Sequence, residues 1–392
     1  MITDSSPVKS SFAMRRRSLL IEGVIVVAIA LFIQFGAPLL LTAIGQEFRI
    51  NMLGRFMSLA IVALGIDLIW GYTGMLSLGH GIFFSLGGYA LGMFLQLQLP
   101  EGQLPEFFTL FGVDKLPGFW QPFHSLPFTL AAIVLIPASI AALLGYLVFR
   151  NRIRGVYFSI LTQASLIVFF NFFNSQQKLI NGTNGLKTDT TKIFGVYAGS
   201  DQAQSVFYTL TVIFLVLAYL LCRWLTSGRL GRLLIAIRDD ESRVRFSGYD
   251  PTGFKVLVFA VSAGLAGIAG ALYTVQSGII SPKTMDIAFS IEMVIWVAVG
   301  GRASLVGAIF GALAVNFAKS LLSEQFPEIW LFFQGALFLV VVTVLPGGFV
   351  GWLRNEGQEL LRSVLGRPRR IMTYPSLAED PEVDYERQNL RN

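Results

Sequence analysis

Cysteine, histidine and charge are all scarce in this chain of 392 residues. A single cysteine, Cys222, excludes an intramolecular disulfide and a thiolate metal cluster. A buried free thiol ordinarily packs as a small apolar group. The two histidines, His80 and His124, form no H-E-x-x-H spacing, which leaves a zinc-protease site without support. No G-x-x-x-x-G-K-[ST] phosphate loop is present, so the chain lacks that kind of ATP site. The G-x-S-x-G nucleophile elbow is missing as well. With neither a nucleophile–base pair nor a metal-ligand set, no enzyme, metal or cofactor is expected.

Only 14% of the residues are charged, whereas 54% are hydrophobic, and Phe and Gly number 34 and 39. Soluble chains carry about 25% charged residues. The chain is therefore expected to be an all-α, polytopic integral membrane protein in contact with lipid. Its formal charge of +6 would hint at nucleic acid in a soluble protein. In a membrane protein it reflects Lys and Arg in the inner loops, and no nucleic-acid partner is expected.

A membrane-crossing helix needs about 20 apolar residues. About ten candidates are read: 18–44, 56–70, 77–96, 127–149, 155–175, 206–225, 254–276, 287–300, 303–322 and 330–346. Placing the N- and C-termini inside puts most Lys and Arg between spans on the inner side, as the positive-inside rule requires. The segment 287–300 is short, and reads as a candidate half of a re-entrant pair with 303–322. Residues 1–17 form a basic cytoplasmic N-terminus, 18–350 the transmembrane domain and 351–392 a cytoplasmic tail. Outer loops are expected at 97–126 and 176–205, the second ordered by turn-forming Asn181–Gly185.

Within this apolar background, Gly71–Gly92 holds a glycine-rich bend and His80. Lipid cannot satisfy a freed backbone, so such a break must be buried in protein or line an aqueous cavity. It points to a solute path. Intramembrane ionisable residues are costly and mark function by default. Asp67, His80 and Glu292 are the candidates, and Gln163 and Asn171 are added as hydrogen-bonding groups for a polar solute. The plain alternatives are an interior histidine at a helix break and a structural ion pair for Glu292. Small residues at Gly88/Gly92, Gly307/Gly311 and Gly264/Gly267/Gly270 predict closely approaching backbones.

The longest inner polar segment, 227–251, reads as a short amphipathic helix. Arg238 with Glu241, Asp239 with Arg243, and Glu241 with Arg245 have helical pairing spacing. Leu233, Leu234 and Ile237 form an apolar strip beside them. Gly248 ends the helix and Pro251 prevents its return. Such an element either docks into a partner's groove or is a solvated loop helix that satisfies its own charges.

Ala63 through Tyr89, with the core Gly-Tyr-Thr-Gly-Met-Leu-Ser-Leu-Gly-His-Gly, resembles the signature of the LivM-type branched-chain amino acid ABC permeases. Ile180–Leu186 resembles that family's outer loop. Gly231–Gly248 resembles its cytoplasmic coupling helix, and Ser290 through Ala308 its late glycine-rich signature. Within the family, Ile295–Arg302, Asn174–Lys178 and the long tail are most similar to permease subunits of urea importers. Asp67 is a departure, because amino acid permeases more often carry Asn there.

The resemblance implies a multi-pass subunit of the bacterial inner membrane. Its implied partners are a second homologous permease subunit, two cytoplasmic ATPases and a periplasmic binding protein. Coupling to the ATPases falls on Arg232, Ala236, Arg238, Asp239, Asp240, Glu241 and Gly248. The cargo expected from the resemblance is a small polar solute, urea first and a branched-chain or other amino acid as the alternative. An ion-coupled secondary transporter, with Asp67 and Glu292 as ion sites, is the competing class.

Overall fold

Because hydrocarbon offers a backbone no hydrogen-bond partners, the chain satisfies its own through helices. The computed structural model describes residues 29–352, apart from 44, 46–47, 101–102, 327–328 and 345–346. The expected basic N-terminus, residues 18–28 of the first span and the tail from residue 353 lie outside the described residues. Contacts divide the chain into Met1–Val350 and Gly351–Asn392, and the helical bundle belongs to the first unit.

The principal helices are α1 (Ile29–Ala43), α2 (Phe48–Thr73), α3 (His80–Gln96), α4 (Leu126–Arg150), α5 (Val156–Ser175) and α6 (Asp201–Ser227). They continue with α7 (Arg229–Asp239), α8 (Glu241–Phe246), α9 (Pro251–Ser277), α10 (Ile287–Gly300), α11 (Leu305–Gln325) and α12 (Trp330–Val344). Among the described residues, six are long and apolar enough to cross a membrane: α2, α4, α5, α6, α9 and α11. The other four expected spans coincide with shorter helices. Of these, α3 has 17 residues, α10 has 14 and α12 has 15.

The expected span 56–70 was too short, since α2 begins at Phe48. Arg49 and Arg55 gave that first part the look of a loop. In the structure Arg49 reaches Glu324 at 3.9 Å, and Arg55 opens onto a polar cavity. The structure is mostly helical, as expected, with two very short strand pairs added. Two-residue strands β1 (Leu186–Lys187) and β4 (Ile279–Ile280) pair antiparallel, as do β2 (Lys192–Ile193) and β3 (Val196–Tyr197). Strands this short leave no alternating pattern to read. They help order the 176–205 loop, in which Asn181 takes a left-handed φ of 58° and its Nδ2 donates to the Gly185 carbonyl at 2.7 Å.

The centre of the bundle is α9, packed against α2, α3 and α4. Asp250 caps its start, accepting the Thr252 N–H at 3.0 Å ahead of Pro251. Its small-residue face explains its position. A Cβ on Gly267 would overlap the Ile133 carbonyl of α4, and one on Gly270 the Phe84 carbonyl of α3. Gly264 meets Val134 only at ordinary contact distances, 3.4 Å to the side chain and 3.8 Å to the carbonyl, so the expected three-glycine face narrows to two close approaches of backbone to backbone. The α10–α11 hairpin closes in the same way, with Gly311 against the Trp296 carbonyl.

This packing predicts that Gly267→Val lowers the thermal unfolding temperature in detergent, by an overpacking cost of about 1–3 kcal/mol. Gly253→Ala, at a helical position with nothing within 4 Å, should leave it unchanged or raised. Equal unfolding temperatures for the two variants would contradict the assigned close approach.

Candidate functional site

The break after α2 is built from hydroxyl groups. Thr73 Oγ1 donates back to the Ile69 carbonyl at 2.6 Å. Gly74 then turns with φ 74°, a left-handed value that disfavours any other residue. Residues 74–79 run without helix until α3 begins at His80. Leu78 N–H donates to Thr162 Oγ1 at 3.0 Å, and Ser159 Oγ donates to the Leu76 carbonyl at 2.6 Å, both from α5. Gly81 N–H donates to Ser290 Oγ of α10 at 3.2 Å.

Both ring nitrogens of buried His80 face hydroxyls: Nδ1 lies 3.1 Å from Ser77 Oγ, and Nε2 lies 2.8 Å from Ser262 Oγ of α9. The imidazole thus joins α3 to α9. Asp67 is fully buried, and its Oδ1 accepts the Ala303 N–H at 2.7 Å. It joins α2 to the turn before α11, and Gly71 leaves room for that turn. Gln163 is half-buried on α5. Asn171 is exposed and donates to the Ile167 carbonyl of its own helix at 2.9 Å.

Glu292 is different. Lys319 Nζ of α11 donates to its two carboxylate oxygens at 2.6 and 2.8 Å. The pair lines a cavity of about 220 Å³ with Arg55, Tyr273, Asn316, Ser320 and Glu324. Of the five expected pathway residues, Glu292 alone lines this cavity. Arg55, Asn316 and Lys319 were missed by sequence reading. Asn316 and Lys319 had a signal, as polar residues within an otherwise apolar stretch, whereas Arg55 read as part of a loop.

At the other end of α2, α7 lies against the break. Arg238 Nη1 donates to the Gly71 carbonyl at 2.9 Å, a cation at a helix C-terminus, where the helix dipole favours it. The 227–251 segment is two helices rather than one. Asp240 accepts the Ser242 and Arg243 N–H groups at 2.9 and 3.2 Å and so caps α8, which bends the chain between Asp239 and Glu241. The bend replaces two of the three expected pairs. Arg238 pairs with Asp239 and Arg243 with Asp240, whereas Arg245 with Glu241 forms as read.

Glu241 faces inward, a correction to its expected place on the docking surface. It accepts from Lys255 of α9 at 2.5 Å and from Arg245 at 2.9 Å, and pairs with Arg154 of the α4–α5 loop at 3.2 Å. Its burial would raise its pKa. The hydrogen bonds from Lys255 and Arg245, with the charges of Lys255 and Arg154, outweigh that and hold the carboxyl below its usual range. Leu234 and Ile237 are buried, but Leu233 only partly. Arg232, Ala236, Arg238 and Asp239 lie on the exposed side, Asp240 is half-buried, and exposed Gly248 ends α8 with φ 85°. Phe246, 92% exposed, and Tyr249, 55% exposed, project beside them.

Six helices long and apolar enough to cross a membrane, with a buried break after α2 and an amphipathic element packed against it, fit a multi-pass protein rather than a single anchor. Residues 48–342 match the family described as branched-chain amino acid transport system, permease component, and the chain belongs to that family. It is a multi-pass protein of the inner membrane. It is 26% identical over 317 residues to the high-affinity branched-chain amino acid permease LivM of Salmonella typhimurium, covering 76% of this chain and 68% of that one. The probable LivM of Methanocaldococcus jannaschii is 23% identical over 320 residues, covering 74% and 89%. The LivH permease of Salmonella typhimurium is 24% identical over 307 residues, covering 74% and 91%. No solved structure matches the chain. The urea expectation finds no support among these relatives.

The depressed pKa of Glu241 predicts a pH dependence. Since the folded value lies below the unfolded one, the carboxylate's stabilisation is complete above about pH 4.5 and is lost as pH falls through the folded value. Protection factors of the amides in 241–247, taken relative to the intrinsic exchange rate at each pH, should fall across that acid window. Glu241→Gln leaves Lys255 buried without its counter-charge, at a cost of about 3–5 kcal/mol. The variant should exchange fast already at neutral pH and show no acid step.

Proposed function

We propose that this chain is a transmembrane subunit of an ATP-driven importer for branched-chain or similar amino acids. The observation that carries the reading is the 2.9 Å bond from Arg238 to the Gly71 carbonyl. It ties the exposed coupling segment directly to the last turn of α2, just ahead of the buried break. Movement imposed on α7 by a partner therefore reaches the end of α2 through a hydrogen bond to the main chain.

The exposed face around Phe246 suits a partner groove, since aromatic side chains surrounded by charge are frequent anchors of binding energy. The occupants proposed are two cytoplasmic ATPases. A second, homologous permease subunit completes the path, and a periplasmic binding protein delivers the solute. Amino acid cargo follows the printed names of the relatives, LivM and LivH. The ion-coupled alternative draws no support from the family match, which is to a transport-system permease component.

Vesicles containing the assembled transporter should take up labelled leucine when ATP is supplied, and not labelled urea. The opposite selectivity would replace amino acid by urea as the cargo. Phe246→Ala should weaken capture of the ATPase subunits by about thirtyfold, the fold-change of a 2 kcal/mol anchor. Undiminished capture and uptake in Phe246→Ala together with Arg238→Ala would remove the coupling segment from the mechanism.

A further inference from the structure

The cavity beside Glu292 holds a charge pattern that the pairing of helices leaves incomplete. Glu292 is bound by Lys319, and Glu324 faces Arg49 at 3.9 Å. Arg55 lines the same cavity, yet its guanidinium has no hydrogen bond or ion pair among the described residues, and its Nε is buried without a partner. An arginine held within an apolar helix at a bundle cavity is costly unless an anion meets it. The site lies 16 residues up α2 from Gly71, about 24 Å at 1.5 Å per residue, at the end of the bundle away from the coupling segment.

We infer that this cavity is a recognition subsite for the charged main-chain groups of a free α-amino acid, with Arg55 receiving the carboxylate. Guanidinium offers paired donors that match a carboxylate's two oxygens. Glu292, which lines the same cavity, receives the ammonium. A carboxylate has about four acceptor positions and Lys319 uses two, so Glu292 retains capacity for a second cation. Asn316, whose Nδ2 is committed to the Ala312 carbonyl at 2.8 Å, presents its amide oxygen as a further acceptor. A cavity lined by both cations and carboxylates suits a zwitterion. A neutral solute such as urea would leave Arg55 unanswered. The inference rests on the amino acid reading above and adds where in this chain the cargo's charges are read.

The test uses the full chain assembled with its permease and ATPase partners in detergent, without the binding protein, so that the binding protein's own selectivity is not what is measured. Thermal unfolding is followed with leucine, leucinamide, 4-methylpentanoate and urea at rising millimolar concentration. Leucine should raise the unfolding temperature, whereas leucinamide, lacking the carboxylate, and 4-methylpentanoate, lacking the ammonium, should not. Arg55→Gln should raise the half-saturating leucine concentration by at least about tenfold, and Arg55→Lys should recover part of it. An equal shift with leucinamide, no shift with leucine, or an unaltered response in Arg55→Gln would each overturn the subsite. Stabilisation by phosphatidylglycerol in place of leucine would assign Arg55 to a lipid headgroup, and also overturns it. If Arg55→Gln does not fold, the ligand series on the unaltered chain decides alone. Leucine uptake without a leucine shift rejects the subsite but keeps the amino acid reading. Uptake of urea instead of leucine rejects that reading itself.

Discussion

A stretch of non-helical backbone buried in a helical bundle survives only if the protein replaces the water that would otherwise solvate it. Here the replacement is a set of hydroxyls, drawn from α5, α9 and α10, arranged around residues 74–81. Much else follows from it. The break requires α5 to lie alongside it although most of that helix faces outward. It requires α3 and α9 to approach closely enough for His80 to reach Ser262, which the glycine contacts permit. The end of α2, released from continuing as helix, becomes available to Arg238 below and to the α10–α11 hairpin beside it.

The two ends of α2 consequently do different work. At one end its backbone is held by the coupling segment and its Asp67 by the turn at Ala303. At the other end Arg55 and the Glu292–Lys319 pair surround a cavity. One rigid helix thus connects a proposed cargo subsite to a proposed docking surface, without any need for a chain of small side-chain shifts. The neighbouring hairpin shares both ends through Ala303 and Lys319, so α2, α10 and α11 present themselves as a common unit.

Much of this organisation was legible in the residues. Hydropathy marked α4, α5, α6, α9 and α11 because their apolar runs are long and unbroken. The glycine-rich wording marked the break, and Gly248 and Pro251 marked the end of the coupling segment. What escaped was whatever depends on a residue's tertiary partner. Arg49 and Arg55 look like loop residues until Glu324 and the cavity are seen. Asp240 reads as a surface charge on a continuous helix, but its carboxylate closes an N-terminus and bends the chain, which turned Glu241 inward. Nor could spacing show that Asp67 Oδ1 and the His80 ring meet partners far off in the chain, or that Asn171 lies on the exposed side of α5. The two-residue strands carry no periodicity at all.

Glu241 also bears on the order in which the protein can be completed. Its three cations come from the α4–α5 loop, from its own helix and from α9, which follows it in the chain. While synthesis has reached only α8, Arg154 and Arg245 are available but Lys255 is not yet in place. The buried charge cluster that seats α8 is therefore complete only after α9 has entered the bundle. A chain stopped short of α9 presents the residues of the coupling segment without the pin that fixes their shape, so the finished surface doubles as a record that the central helix has been installed.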